Sequence, residues 1–270
     1  MDAMDDNAPY RRFAEIYDRV MHTVGYEMWA DYIGELCRLY QVTPRTAVDL
    51  ACGTGSTTFP LLRMGIAAIG IDSSPHMLAR ARARAEEKGL KVEFREGDMR
   101  RFTVKLPVDL VTCLYDSINY ILDPEELAGV CRCVCRALRP GGLFIFDANT
   151  PYRLSDVDDE PMFFDEQDLC LVWRNSYDPA TMIWRAELTG FVRRGELFER
   201  FREVHEERAY SPQELAGAVA AGGMDLLGMF SAFGFDAVDE RTARVYVVAQ
   251  RPYEETAAGR PDPKGEVKMR

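Results

Sequence analysis

Gly53 and Gly55 sit in "VDLACGTGSTTF", directly after an apolar run, and Asp72 closes a second apolar run, "IAAIGID", about twenty residues later. Glycine lets a backbone take φ > 0 and approach a ligand closely. An acid at that spacing, at the end of a second strand, can accept hydrogen bonds from two ribose hydroxyls. The set therefore suits an adenosine-like group. The dinucleotide fingerprint G-x-G-x-x-G is incomplete, because Thr58 stands where the third glycine belongs. A structural turn with an incidental acid is the competing reading. Asp72 is expected to be an exposed strand-end acid that does little for the fold.

Two further sets of side chains have chemical potential. Of the three histidines, His22 and His76 fall in segments of helical spacing, which leaves His205, in "EVHEERAYS", as the candidate general base. The same residue also fits a structural, hydrogen-bonded histidine. Cys131, Cys133 and Cys135 in "CRCVCRAL" are spaced by two, whereas structural zinc sites use C-x2-4-C. On a helix, 131 and 135 share a face and 133 points elsewhere, so they read as packing cysteines and no metal is expected.

The elements that position these residues alternate. "YRRFAEIYDRVM" and "YEMWADYIGELCRLY" carry apolar residues at helical spacing. Strand "TAVDLA" precedes helix "STTFPLLRMG", then strand "IAAIGID". Helix "SPHMLARARARAEEKG" has Ser74 as its cap, Pro75 in its first turn and Gly89 past its end. Strands "KVEFREG" and "VDLVTCLY", helix "DPEELAGVCRCVCRAL" closed by "RPGG", and strand "LFIFDAN" follow. Such alternation implies a parallel sheet with helices on both faces.

After Pro151 the period becomes two and aromatic and β-branched residues dominate, with "DPAT" and "RRGE" as hairpin turns. This predicts an antiparallel insertion of about three strands. The expected divisions are residues 1–150 for the amino-terminal helices and binding core, 151–210 for the insertion, and 211–252 for the return to the core sheet. Residues 1–9 and 253–270 are expected to be loose ends.

Composition bounds the function. The chain has 270 residues and a net charge of -11, with no apolar run of membrane-spanning length and no secretory signal at "MDAMDDNAPYRRF". Such an acidic chain has no general attraction to nucleic acid or anionic membrane. Seven cysteines, an odd number, argue against a full disulfide framework. The expected compartment is the cytoplasm.

The segments carry a resemblance. "VDLACGTG" resembles motif I of class I S-adenosylmethionine-dependent methyltransferases. "GIDSSPHML" is similar to their ribose-binding segment, "GDMRRF" to the adenine-side segment, "DLVTCLYDSINYI" to the segment facing the methyl donor, and "LRPGGLFIFD" to the turn and strand beyond it. The head "YRRFAEIYD" and the insertion resemble a bacterial small-molecule branch that includes deoxysugar N,N-dimethyltransferases. The resemblance implies a doubly wound, seven-stranded, mostly parallel α/β sheet of Rossmann type with an antiparallel β lid. It also implies S-adenosyl-L-methionine as cofactor.

It further implies roles by position. Asp49 is expected near the methionine amino group, and Ala51, Cys52, Gly53 and Gly55 to pass beneath the donor. Asp72 takes the ribose, with Ser73 and Met77 flanking the adenine. Asp98 accepts from the adenine amino group beside the apolar Met99. Leu114, Tyr115 and Asp116 sit at the sulfonium end. Tyr10 and Tyr17 close over the methionine portion, Tyr17 joining His205 as a catalytic candidate, or else form a plain core-facing helix stripe. Asn119 and Tyr120 follow the fourth strand, where ligands of open sheets collect, and are expected to orient the acceptor. Arg174, Arg185 and Arg208, among Trp173, Trp184 and Tyr210, suit an anionic or planar substrate, the competing reading being a cross-strand surface ladder.

The expected activity is methyl transfer to N or O of a small-molecule acceptor. An RNA methyltransferase shares this core but is disfavoured by the acidity. A non-catalytic donor-binding protein and a nicotinamide oxidoreductase rank lower. The insertion is expected to select the acceptor, its alternative being a homodimer surface.

Overall fold

The computed structural model describes residues 8–157 and 160–253. The loose ends expected at 1–9 and 253–270 fall outside the described residues, except for residues 8, 9 and 253. Two helices come first, α1 (Phe13–Val20) and α2 (Tyr26–Leu39). The alternation then runs β1 (Thr46–Leu50), α3 (Thr58–Arg63), β2 (Ala67–Asp72), α4 (Pro75–Glu87), β3 (Glu93–Glu96), β4 (Val108–Cys113), α5 (Pro124–Ala137) and β5 (Leu138–Asn149). A short α6 (Pro151–Ser155) leads to β6 (Met162–Glu166), β7 (Leu169–Asp178), β8 (Ile183–Arg194) and β9 (Leu197–Arg208). The chain ends with α7 (Pro212–Ala221), β10 (Asp225–Ser231) and β11 (Arg244–Gln250).

The main sheet is seven-stranded, in the order β10-β11-β5-β4-β1-β2-β3. Strands β1 to β5 are parallel, and β11 runs antiparallel to both β5 and β10. Its strands are buried on both faces, which is why they read as apolar runs without alternation. Val48, Val111 and Phe144 point to the side covered by α5 and α7. Ala47, Leu110 and Ile145 point to the side covered by α2 and α3. Helices start where the sequence places caps. Ser74 accepts from Met77 N at 3.3 Å, and Asp123 from Glu125 N at 2.9 Å. Ser211 and Glu214 form a capping box. Each cap contributes about 1 kcal/mol. The expected "RPGG" turn lies inside β5 as an irregularity: Leu138 pairs with Val108, but Leu143 with Leu110.

The insertion forms a separate sheet of four strands, in the order β6-β7-β8-β9, one more than the spacing predicts. Its turns fall at the expected places. Asp178 accepts from Ala180 N and Thr181 Oγ1, and Gly195 takes φ 65°. One face of this sheet is covered by α1: Phe13, Ile16 and Tyr17 pack with Leu169, Leu171, Ala186, Leu188 and Phe201. The amino-terminal helix is thus the wedge between the two sheets. Among the described residues no helix is long and apolar enough to cross a membrane.

Candidate active site

After β1 the chain turns through left-handed backbone at Ala51 (φ 52°), Gly53 (φ 55°) and Gly55 (φ 83°). A Cβ on Gly55 would stand 2.8 Å from the Phe59 ring, so no other residue fits there without displacing it. Arg84 of α4 pins the turn, donating to Thr54 O at 3.0 Å, Ser56 Oγ at 2.8 Å and Asp18 of α1 at 2.8 Å. Asp49 lies beneath, fully buried, and accepts from the hydroxyls of Thr57, Thr58 and Thr112 at 2.6–2.8 Å.

Asp72 differs from the expectation of an exposed acid. It is only 8% exposed and accepts from Gly53 N and Ser74 N, each at 2.8 Å. It therefore ties the glycine turn to the start of α4, and burial pushes its carboxyl above the ordinary range against the pull of those two N–H groups. Each oxygen keeps a second lone pair for a ligand.

These elements frame a cavity of about 500 Å³. Ala51, Cys52, Gly53, Asp72, Ser73, Met77, Met99, Leu114 and Tyr115 line it, together with Tyr10, Tyr17 and Tyr120. Ala8, Pro9, Tyr26, Thr54 and Ser56 also line it and were not singled out from the sequence. The cavity offers an acid for a diol, thioether walls for a planar base and an aromatic end for a cationic sulfur. Those features fit S-adenosylmethionine, which when bound supplies a methyl group on positively charged sulfur.

Other candidates stand elsewhere. Asp49 and Gly55 do not line this cavity: Asp49 supports the turn from below, and Gly55, within the turn, packs against Phe59 and Phe94. Asp98 is taken up by Arg100, at 2.6 Å between Oδ2 and Nη2, which holds its carboxyl below the usual range. Asn119 is buried and clamps two strand ends, donating to Asn149 O at 2.9 Å and Arg208 O at 2.8 Å. Arg208 donates to Glu214 at 2.7 Å and stacks over Tyr210. Arg174 is exposed opposite Glu187, and Arg185 bonds Glu206 at 3.1 Å. Arg174 and Arg185 stand in a cross-strand ladder on the sheet surface. Cys131 and Cys133 are buried on α5, and Cys135 is half-buried.

A second cavity, of about 460 Å³, lies between the main sheet and the four-stranded sheet. It shares Tyr10, Tyr17, Tyr115 and Tyr120 with the first, so four tyrosines form a common wall. Phe164, Trp173 and Trp184 give it aromatic sides, and Asp116, Asn149, His205 and Glu207 a polar floor. Tyr120 joins two of these groups: its hydroxyl lies 2.7 Å from Tyr10 Oη and 3.0 Å from His205 Nδ1. Burial pushes the phenols of Tyr10, Tyr17 and Tyr120 well above 10, so all three stay protonated near neutrality.

Two buried carboxylates hold the wall in place. Glu203 of β9, 0% exposed, accepts from the backbone N–H groups of Tyr10, Arg12 and Phe13, capping α1 from a distant strand. Its Oε2 lies 3.3 Å from His205 Nε2, without a hydrogen bond between them. Asp147 at the end of β5 accepts from Tyr115 N at 2.7 Å and Asp116 N at 3.0 Å, and pairs with Arg244. Tyr10, Tyr115 and Asp116 all have positive φ, a conformation costing about 1–3 kcal/mol each that persists only where the surroundings impose it. The two carboxylates impose it here.

A family model described as a methyltransferase domain matches residues 47–142. An S-adenosylmethionine-dependent methyltransferase of Clostridium acetobutylicum ATCC 824, known by crystal structure, is 31% identical. Its alignment covers 90% of this chain and 99% of that one, with a TM-score of 0.79. This chain belongs to the class I S-adenosylmethionine-dependent methyltransferases. A protein of Geobacillus sp. (strain WCH70) that bears a methyltransferase name is 28% identical to this methyltransferase over 247 residues, 90% of this chain and 99% of its own. The amino pentose methyltransferase CalS10 of Micromonospora echinaspora shares the fold at 22% identity and a TM-score of 0.69, over 87% of this chain and 96% of its own.

Sequence reasoning missed Glu203, Glu207, Asp147 and Arg244. One signal was present. In "FREVHEER" the inward positions of a period-two strand are Phe201, Glu203, His205 and Glu207. Three titratable groups on the buried face of one strand mark a site.

Proposed function

We propose that this methyltransferase moves a methyl group to nitrogen or oxygen of a small-molecule acceptor seated in the second cavity. The observation that carries the reading is the wall of four tyrosines common to both cavities. Donor and acceptor held on either side approach each other across those four side chains. A cavity of about 460 Å³ is of the size that takes small ligands. The amino pentose named for CalS10 belongs to the same size class.

In this reading Asp72, Ser73, Met77 and Met99 hold the donor's nucleoside end, and Tyr10, Tyr17 and Tyr115 orient its sulfur end. Holding nucleophile and methyl in line accounts for up to roughly 7–11 kcal/mol of barrier lowering in favourable cases. His205 accepts the proton an acceptor loses, through the Tyr120 hydroxyl. Residues 151–210 act as the acceptor-binding lid, while residues 1–150 and 211–252 build the donor core.

The test is incubation with tritium-labelled S-adenosylmethionine and fractionated small metabolites, tRNA and protein in parallel. The expected result is label in a small-molecule fraction alone. Label in tRNA or protein with none in the metabolites overturns the reading.

A further inference from the structure

We infer that Glu207 is the anchor for an ammonium group of the methyl acceptor, an inference that rests on the second cavity being the acceptor's. Glu207 is 6% exposed, lines that cavity, and its Oε2 has no hydrogen-bond partner. A buried carboxylate oxygen left bare calls for a donor from outside the chain. Asn149 and Asp116 stand beside the Glu207 carboxyl and are already engaged with each other. Asp116 accepts from Arg244 Nη1 and Asn149 Nδ2, each at 2.9 Å, and Arg244 also pairs with Asp147. Arg153, the other cation lining the cavity, is exposed.

The cavity's charge selects the class of ligand. Asp116 and Asp156 repel an anion. An alcohol satisfies Oε2 with one hydrogen bond and no charge. An ammonium supplies up to three N–H donors and a positive charge, and Phe164, Trp173 and Trp184 in the lining are the residue types that attract cations. Burial and the nearby Asp116 push the Glu207 carboxyl well above the ordinary range, so the free protein holds its proton more tightly than an exposed glutamate does. A bound cation favours the ionised form, and the proton released goes to solvent. Glu207 lines the second cavity only and is not part of the tyrosine wall. The nitrogen it holds has no free lone pair, so its role is recognition, and the methyl goes to a different atom.

The probes are cyclohexylamine, cyclohexanol and cyclohexanecarboxylate, added to the full chain with S-adenosylhomocysteine present. Trp173 and Trp184 fluorescence reports binding. The wild-type protein is expected to bind the amine about tenfold more tightly than the alcohol and to reject the carboxylate. Amine affinity rises with pH as Glu207 ionises. Asp116, Asp147, Arg244 and His205 surround it in wild type and variant alike. Glu207→Gln is expected to bring the amine to the level of the alcohol, leaving alcohol and S-adenosylhomocysteine binding in place. Equal amine and alcohol binding by the wild type, preference for the carboxylate, no saturable amine binding, or a variant that keeps the amine preference each overturn the inference. The wild-type ligand order decides even if the variant does not fold. These readouts need no methyl transfer, so failure to label any metabolite sinks the acceptor reading without altering them.

Discussion

Tyr10 and Glu203 are 193 residues apart, yet the backbone N–H of Tyr10 donates to Glu203 Oε2 at 2.8 Å. This bond and those from Arg12 and Phe13 fasten the amino-terminal segment to the four-stranded sheet. Because Tyr10 lines both cavities, one buried carboxylate fixes their common wall.

Glu203→Ala is expected to cost stability and donor affinity together. Each charge-assisted bond contributes about 1.5–3 kcal/mol. At this size 1 kcal/mol lowers Tm by about 2–4 °C. Urea unfolding measures the first effect and calorimetry with S-adenosylhomocysteine the second. Full donor affinity in a destabilised variant would show that the segment closes without Glu203.

Tyr120→Phe removes the hydroxyl between Tyr10 and His205 and keeps the ring. For an acceptor that must lose a proton, kcat is expected to fall by up to about 10²–10⁴-fold. Donor affinity stays within a factor of two or so. His205→Ala is expected to have a similar effect, and the double variant to be no worse than either alone. Additive losses measured in the double-variant cycle would separate the two residues.

The parts legible in the sequence are those set by local pattern. The alternation of strands and helices, the caps at Ser74 and Ser211, and the glycine turn with Asp72 follow from neighbouring residue types. What was not legible depends on distant partners. Asp147 meets Arg244 across 97 positions, and Glu203 meets Tyr10 across 193. Aromatic residues flank Arg174 and Arg208 in the sequence, which says nothing of their partners across strands. Strand register sets Arg174 opposite Glu187, and Arg208 turns to Glu214.

Asp72→Ala is expected to weaken donor binding by about 1.5–3 kcal/mol per ribose hydrogen bond. It also lowers Tm, because Gly53 N and Ser74 N lose their acceptor. Calorimetry and thermal unfolding of the same preparation check both. A change in only one of them contradicts the dual placement.

Stability should respond to pH through Glu207. Its carboxyl is raised in the folded chain, so the folded state binds this proton more tightly than the unfolded state. Its contribution is therefore fully present below the unfolded glutamate value of about 4.3 and is lost as pH rises from there to the folded value. Glu207→Gln cannot lose a proton. The Tm of the variant relative to wild type should rise across that window. A constant difference from acid to mildly alkaline pH would place Glu207 ionised in the free protein.

Arg174→Ala is expected to leave turnover unchanged and stability within about 0.5 kcal/mol, as befits an exposed ladder residue outside both cavities. A large loss of turnover measured with any acceptor would return it to the site.

The most direct test of the central claim is a crystal structure with S-adenosylmethionine bound. The account predicts the adenosine between Asp72, Met77 and Met99 and the methyl carbon facing the wall formed by Tyr10, Tyr17, Tyr115 and Tyr120. A methyl carbon directed away from that wall, or an adenine lodged in the second cavity, would contradict it.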